Sequence, residues 1–378
     1  MSWREIFEPG QRVPVRVWST RLTPATRRQL VELASAPYVT QHVAAMPDAH
    51  VAAGVAVGTV FATEHTVVPA ALGDDLGCGM SALRWGSLAI RDARALEAVL
   101  RAWRAAIPTG TATQRSPREV PSSLLTTPLS THSLEHAREH LVGKHLGTLG
   151  GGNHFIELDR DGQGDVWILV HSGSRGLGGA IAHHHAAAAG ASRCLDTRAE
   201  GAAYLQDLGW ALTFARENRR ALMTRALEVL AEISGQEPPC DPQIVDVHHN
   251  YVARERWFDR ELLVHRKGAV AAPAEATVLI PGSMGTFSYL ACGLGNEASF
   301  GSCAHGAGRV MSRSEARARV RIDALRRSMQ GVVYPESLGR SLVEEAPHVY
   351  RDLDEVMDEQ RELVRPLRKL RPLLVLKG

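Results

Sequence analysis

The sequence predicts a globular protein that mixes helices and strands, of the α/β or α+β class, folded as one compact domain over residues 1–378. Three observations predict this. Of the 378 residues, 44% are apolar and 22% charged, enough to fill a core and too apolar for a disordered or fibrous chain. Segments with the 3.6-residue period of helices alternate with short apolar runs of strand length. No Ser/Gly/Pro-rich linker or long charge run divides the chain.

The elements follow in chain order. Thr23-Pro24 reads as an N-cap with proline at the first helical position, opening a helix toward Ser35. Leu96, Val99, Leu100, Trp103 and Ile107 recur at helical spacing and stop at Pro108. The run from Val166 to Val170 predicts a strand, a long helix follows Thr197, and further strands are expected from Ile244 to Val247 and from Thr277 to Ile280. Ser312 and Glu315 have capping-box spacing and open an arginine-rich helix. A last helix starts near Asp352 with Leu353, Val356 and Met357 on one face. The strands run into His171-Ser-Gly-Ser-Arg-Gly, His248-His249-Asn250 and Pro281-Gly-Ser-Met-Gly. Rigid strands that deliver polar loops to one place are a usual way to build an active site, so function is expected at these strand ends.

Bulk charge does not point to a polyanion partner. Forty-three Lys+Arg against 41 Asp+Glu give a net charge of +2, so any contact with a polyanion must come from a local patch. The five cysteines (Cys78, Cys194, Cys240, Cys292, Cys303) are odd in number and scattered, which fits neither a disulfide framework nor a CxxC zinc site and suits a reducing cytoplasm. The first residues lack the basic-then-apolar pattern of a leader, and no apolar run reaches membrane-spanning length, so a soluble, cytoplasmic protein is expected. Among the basic residues only Lys144, Lys267, Lys369 and Lys377 are lysine. Arginine-biased coding accounts for this, and under such a bias a retained lysine is the better functional candidate.

Five segments carry candidate chemistry. Asp75 and Cys78 stand three apart among glycines in Gly73-Asp-Asp-Leu-Gly-Cys-Gly-Met80, after Met46-Pro-Asp-Ala-His50; they could hold one metal or bridge two, or form a turn around a core cysteine. Gly150-Gly151-Gly152-Asn153-His154 could expose backbone amides to an anion or be a plain loop. His171 and Arg175 share the end of one strand, and His249 follows another. Three histidines at strand ends together with Asp75 and Cys78 suggest a catalytic metal site assembled by the fold, because structural zinc sites take ligands in close sequence pairs. His305, in Ala304-His305-Gly306-Ala307-Gly308-Arg309, is unhindered as a nucleophile must be, and Arg309 and the following helix start favour a phosphate nearby; the alternative is a helix-capping loop. Consecutive His183-His184-His185 point about 100° apart on a helix and cannot converge on one ion. The helix with Arg313, Arg317, Arg319, Arg321, Arg326 and Arg327 also carries Glu315 and Asp323, so a solvated face is the default and an RNA backbone contact the second reading.

These segments in their order resemble the RtcB family of RNA ligases. The matching strings are MPDAH, GDDLGCGM, LGTLGGGNHFIEL, HSGSRGLG, HHNYV, RKGA, IPGSMGTFSY, SFGSCAHGAGRVMSR and LRPLLVLKG, colinear from Met46 to Gly378. The resemblance implies an α+β fold of mixed sheets with surrounding helices and a metal site at strand-end loops. It implies a ligase that uses GTP and two manganese ions to join an RNA 3′-phosphate or 2′,3′-cyclic phosphate to a 5′-hydroxyl, as in tRNA splicing and RNA repair. Asp75, Cys78, His154, His171 and His249 match the family's metal ligands, with Cys78 bridging. His305 matches the histidine that becomes guanylylated, flanked in the nucleotide site by Gly306, Ala307 and Gly308. Asn153, Arg175 and Asn250 match phosphate-holding positions, and Arg309 is expected beside a phosphate. Glu157, Ser283, Ser288, Tyr350 and Lys377 match those that grip the guanosine nucleotide, Tyr350 as a stacking ring. An archease-like activator is a further implied partner. Two departures stand out: Val51-Ala52-Ala53-Gly54 lacks the basic residue common after MPDxH, and the chain is short for the family. The rival readings are a binuclear metallophosphoesterase that only opens cyclic phosphates and a non-catalytic binder of RNA ends.

Overall fold

The computed structural model of the chain describes residues 3–90, 92–240 and 242–378. A seven-stranded sheet runs Ile244–His248, Gly79–Gly86, Val166–Ser172, Phe155–Asp161, Val364–Lys377, Ser288–Gly293, Thr277–Ile280, with every neighbouring pair antiparallel. A six-stranded sheet runs Arg4–Ile6, Val15–Val17, Thr40–His50, Val57–Thr63, Arg260–Lys267, Asn250–Trp257, and its one parallel pair is Val15–Val17 with Thr40–His50. Mostly antiparallel sheets with helices packed against them decide for α+β over α/β.

Both faces of the seven-stranded sheet are covered, and the strand period of two divides its side chains between two cores. Ile156, Leu158, Ile168, Val170, Leu374 and Leu376 pack against Val99 and Trp103 of the helix Ala93–Ala106 and Leu222 and Ala226 of the helix Glu200–Ser234. Trp167, Leu169 and Val375 point the other way, onto Leu325, Met329, Leu342 and Val343. Trp103 is fully buried and donates its indole N–H to the Ala226 carbonyl at 3.1 Å, so both its apolar body and its polar tip are satisfied. Truncating it to alanine costs about 3–5 kcal/mol.

Helix starts follow the capping chemistry of the sequence. The side chains of Thr23, Asp92 and Asp352 accept first-turn N–H groups, and Ser312 with Glu315 forms both bonds of a capping box. The arginine-rich segment, expected as one helix, is two: Arg313–Arg319 and Ile322–Ser328, joined by extended Val320 and Arg321. Val320 and Ile322, two residues apart, both pack on the core, which extended backbone permits and a helix does not. Among the described residues no helix is long and apolar enough to cross a membrane.

The two sheets meet at one residue. The chain passes from Ile244–His248, at the edge of the seven-stranded sheet, directly into Asn250–Trp257, at the edge of the six-stranded one, and His249 is the joint. A short ladder, Ala269–Ala271 with Ser302–Ala304, lies alongside, and the Ala269 N–H donates to the His249 carbonyl at 3.2 Å.

Candidate active site

Strand register gathers the metal-type residues. Gly79 pairs with both Ser172 and His248, and His171 with both Met80 and Phe155. Neighbouring strands are about 4.8 Å apart, so Cys78 just before Gly79, His154 just before Phe155, His171 at its strand end and His249 just beyond His248 arrive at one point. Two groups result: Cys78 with His171 and His249, and Cys78 with Asp75 and His154, the ligand atoms of each lying within 4.8 Å of one another. Cys78 belongs to both. Gly173 gives Asp75 its room, since a Cβ there would collide with the carboxylate.

The donor set fits cations. His154 donates Nδ1–H to the Leu149 carbonyl at 2.9 Å and His171 donates Nδ1–H to the Asn153 carbonyl at 3.2 Å, which turns each Nε2 inward. Nε2 of His171 lies 3.1 Å from Nε2 of His249 and 3.2 Å from Cys78 Sγ, while Nε2 of His154 lies 3.4 Å from Cys78 Sγ and 2.9 Å from Asp75 Oδ2. A single proton satisfies one of these contacts and leaves the rest as lone pair against lone pair; a cation satisfies them together. Burial keeps His171 and His249 neutral, the form that binds metal. Burial, and then Asp75, pushes the Cys78 thiol well above its usual range, so a thiolate here requires positive charge beside it. Desolvation also opposes the Asp75 charge, but His154 outweighs it and the carboxyl lies below the usual range.

Two residues that sequence reasoning missed hold this cluster. Asn218 and Arg219, fully buried on the helix Glu200–Ser234, bind the backbone of the ligand-bearing segments. Asn218 Oδ1 accepts the Gly147 N–H at 2.7 Å, and its Nδ2 donates to Thr148 O and to Ser172 Oγ, both at 3.1 Å. Arg219 donates to Gly77 O at 3.0 Å and Ser172 O at 3.1 Å and grips Asp246 with two bonds of 2.8 and 2.7 Å. In the sequence they look like the polar face of a helix.

His305 follows the strand Ser302–Ala304 and stands beside the cluster, its ring centroid 4.8 Å from that of His249. Its Nδ1–H donates to Asp48 Oδ2 at 2.6 Å, which leaves Nε2 with a free lone pair. Asp48 is fully buried on the strand Thr40–His50. Positive-φ Gly308 lets the backbones pass, because a Cβ there would meet Asp48. The sequence contains Asp48 within MPDAH, but nothing in it links that block to a histidine 257 positions away.

A cleft of about 250 Å³ runs from these residues, and it is lined by Asp75, Cys78, His171, His249 and His305 at one end. Asn153, Glu157, Asn250, Gly306, Ala307 and Gly308 also line it. Lys267 does too; it donates to the Ala53 carbonyl at 2.7 Å, and burial lowers its ammonium to about 8. Ser283, Arg309, Arg313, Tyr350 and Lys377 line the other end around Glu345, another residue that sequence reasoning missed. Glu345 is buried and receives Lys377 Nζ at 3.1 Å, Tyr350 OH at 2.6 Å and Arg309 Nη1 at 3.3 Å. Burial opposes its charge, and Lys377, Tyr350 and the arginines outweigh burial and keep the carboxyl below its usual range. Arg309 lies over the Tyr350 ring, 5.0 Å from its centroid. Burial, then Asp159, pushes Glu157 well above its usual range, with Lys377 opposing.

Three residues named from the sequence stand off the cleft lining: His154, which meets the cluster through Nε2, Ser288 and Arg175. Ser288 accepts the Gly282 N–H on its Oγ at 3.2 Å and so braces the loop that carries Ser283. Arg175 opens the helix Arg175–Ala189 at positive φ and lies behind His154, its Nη1 3.4 Å from His154 Nδ1. The His183–His185 run does not converge: His183 is exposed beside Asp74, while buried His185 pairs with Asp207 at 2.7 Å.

The family described as tRNA-splicing ligase RtcB matches residues 29–141 and 127–378 of this chain. The RNA-splicing ligase RtcB of Escherichia coli K12 is 37% identical over 405 aligned residues, covering 97% of this chain and 98% of that protein. The Mycobacterium tuberculosis RNA-splicing ligase RtcB is 30% identical, covering 93% of this chain and all of its own length. The tRNA-splicing ligase RtcB of Archaeoglobus fulgidus is 29% identical over 98% of this chain. With a shared-cysteine metal cluster and a histidine oriented by a buried carboxylate in one cleft, and with this similarity along nearly its whole length, the chain belongs to the RtcB family of RNA ligases.

Proposed function

We propose that this RNA ligase consumes GTP and uses manganese to join RNA 3′-phosphate or 2′,3′-cyclic phosphate ends to 5′-hydroxyl ends through a histidine–GMP intermediate. The observation that carries the reading is the Asp48–His305 pair beside the shared-cysteine cluster. Nδ1–H of His305 is held by Asp48, so Nε2 is the free nitrogen, and the carboxylate stabilises the positive charge the ring acquires on reaction.

Nε2 attacks the α-phosphorus of GTP; the P–N bond forms, the bond to the bridging oxygen breaks, and pyrophosphate leaves with the electron pair. An oxygen of the RNA 3′-phosphate then attacks the same phosphorus, the P–N pair returns to Nε2, and the RNA end becomes a 3′-diphosphate linked to guanosine. The 5′-hydroxyl oxygen displaces GMP from the RNA 3′-phosphorus, its proton passing to solvent. A cyclic phosphate is opened by water first. Asp75, Cys78, His154, His171 and His249 would hold the manganese, which when bound would supply neutralisation of phosphate charge and stabilisation of departing oxyanions. Asn153, Asn250 and Arg309 hold phosphates and Arg175 braces His154 from behind, while Glu157, Ser283, Tyr350 and Lys377 grip the guanosine, with Ser288 bracing the Ser283 loop. The protein works as one domain over residues 1–378 in the cytoplasm, a compartment its five scattered cysteines suit; an archease-like activator raises its turnover.

The test is incubation of one RNA ending in a 2′,3′-cyclic phosphate with another bearing a 5′-hydroxyl, in manganese with and without GTP. A joined product that requires GTP is expected. Opening of the cyclic phosphate without joining, and without uptake of GMP by the protein, would instead support the metallophosphoesterase reading. RNA binding without either reaction would support the end-binder.

A further inference from the structure

A second concavity opens on the arginine-rich segment. It is a groove of about 800 Å³ lined by Arg317, Arg319, Arg321, Arg326 and Arg340, with Asp323 as its one acid. It adjoins the cleft: Arg313, which lines the cleft, and Arg319, which lines the groove, stand on one helix six residues apart, about 9 Å along its axis. Glu344 bridges the two ends by pairing with both Arg313 and Arg317. The remaining cations are available. Arg319 and Arg340 have no ion pair among the described residues, and Arg321 and Arg326 reach Asp323 only at 3.9 and 4.0 Å, in exposed pairs that contribute little. The lining holds no aromatic ring on which a base could stack.

We propose that this groove carries the sugar-phosphate backbone of the RNA strand entering the cleft, without reading its sequence. The inference rests on the ligase reading above and extends it from the reacting end to the chain behind that end. A protein with a net charge of +2 has no bulk attraction for a polyanion, so a five-arginine groove beside the cleft is where a local field can act. Phosphate contacts of this kind set position and affinity and leave base identity unread.

The experiment measures binding of a labelled 20-nucleotide single-stranded RNA with a 3′-phosphate, across a salt series, beside a trinucleotide 3′-phosphate too short to leave the cleft. In the Arg319→Ala/Arg321→Ala/Arg340→Ala variant, the slope of log affinity against log salt for the 20-mer should flatten by about 2, at about 0.7 per phosphate contact on a single strand, and low-salt affinity should fall roughly tenfold or more. The trinucleotide affinity and self-labelling with GMP should stay within about twofold. The matching Arg→Lys variant keeps the charge and should keep the slope. If the alanine variant unfolds, Arg340→Glu alone should still flatten the slope. An unchanged slope in the folded charge variants would overturn the groove while leaving the ligase reading intact. Absence of GMP labelling and joining in the unsubstituted protein would overturn the ligase reading, whatever the salt slopes show.

Discussion

The metal end of the cleft and the arginine groove are both built from polar side chains, yet they are built in opposite ways. At the metal end Cys78, His154, His171 and His249 are buried at strand ends, and their supports are backbone carbonyls and the fully buried Asn218 and Arg219. In the groove Arg319, Arg321 and Arg326 stand in solvent on long side chains with loose or absent partners. The first arrangement fixes atoms to fractions of an ångström, as chemistry requires. The second supplies charge without fixed geometry, as a flexible polyanion requires. Substitutions at the two ends should therefore fail differently: the first in rate and metal content, the second in salt-dependent affinity.

The largest effect is expected at Cys78, the ligand both groups share. Cys78→Ala should lower guanylylation and ligation by at least about a thousandfold and release manganese from both positions, measured by metal analysis and labelling together. Full activity in that variant would erase the contrast between the two ends. Asp48→Asn comes next. It removes the carboxylate acceptor that sets the His305 tautomer, and labelling should slow by roughly a hundred- to ten-thousandfold while manganese content is unchanged. Asn218→Asp keeps the acceptor for the Gly147 N–H and loses the donors to Thr148 and Ser172, so manganese affinity should fall about ten- to a hundredfold in titration. Zinc sharpens the comparison from the ligand side: one thiolate and three imidazoles bind it more tightly than manganese, so added zinc should inhibit without supporting turnover. The smallest effect on chemistry belongs to the groove, where Arg321→Ala should leave labelling within about twofold.

The parts legible in the sequence were those whose chemistry is local. The Thr23, Ser312 and Asp352 helix starts and the strands at Val166, Ile244 and Thr277 announced themselves within a few residues. The metal-type residues sit in unbroken blocks at the same strand ends. Long-range pairings were not legible. Nothing near Asp48 names His305 as its partner, and Glu345 reads as half of an exposed acidic pair until Lys377, Tyr350 and Arg309 are seen to converge on it. The strand Val364–Lys377 was hidden by Pro366 and Pro372, which argue against a central strand; the sheet accommodates them with register shifts. The start of the helix Arg175–Ala189 was hidden by its opening glycines, Gly176, Gly178 and Gly179, one of which clears the Ser174 hydroxyl.

Uptake of GMP by His305 is tested most directly by one measurement. The protein is incubated with α-labelled GTP and manganese, separated under denaturing conditions, and the labelled peptide is mapped. A single adduct on His305 with phosphoramidate behaviour is expected, labile in acid, stable in alkali and absent in His305→Ala. A label that survives His305→Ala, resists acid, or maps to another residue would contradict it.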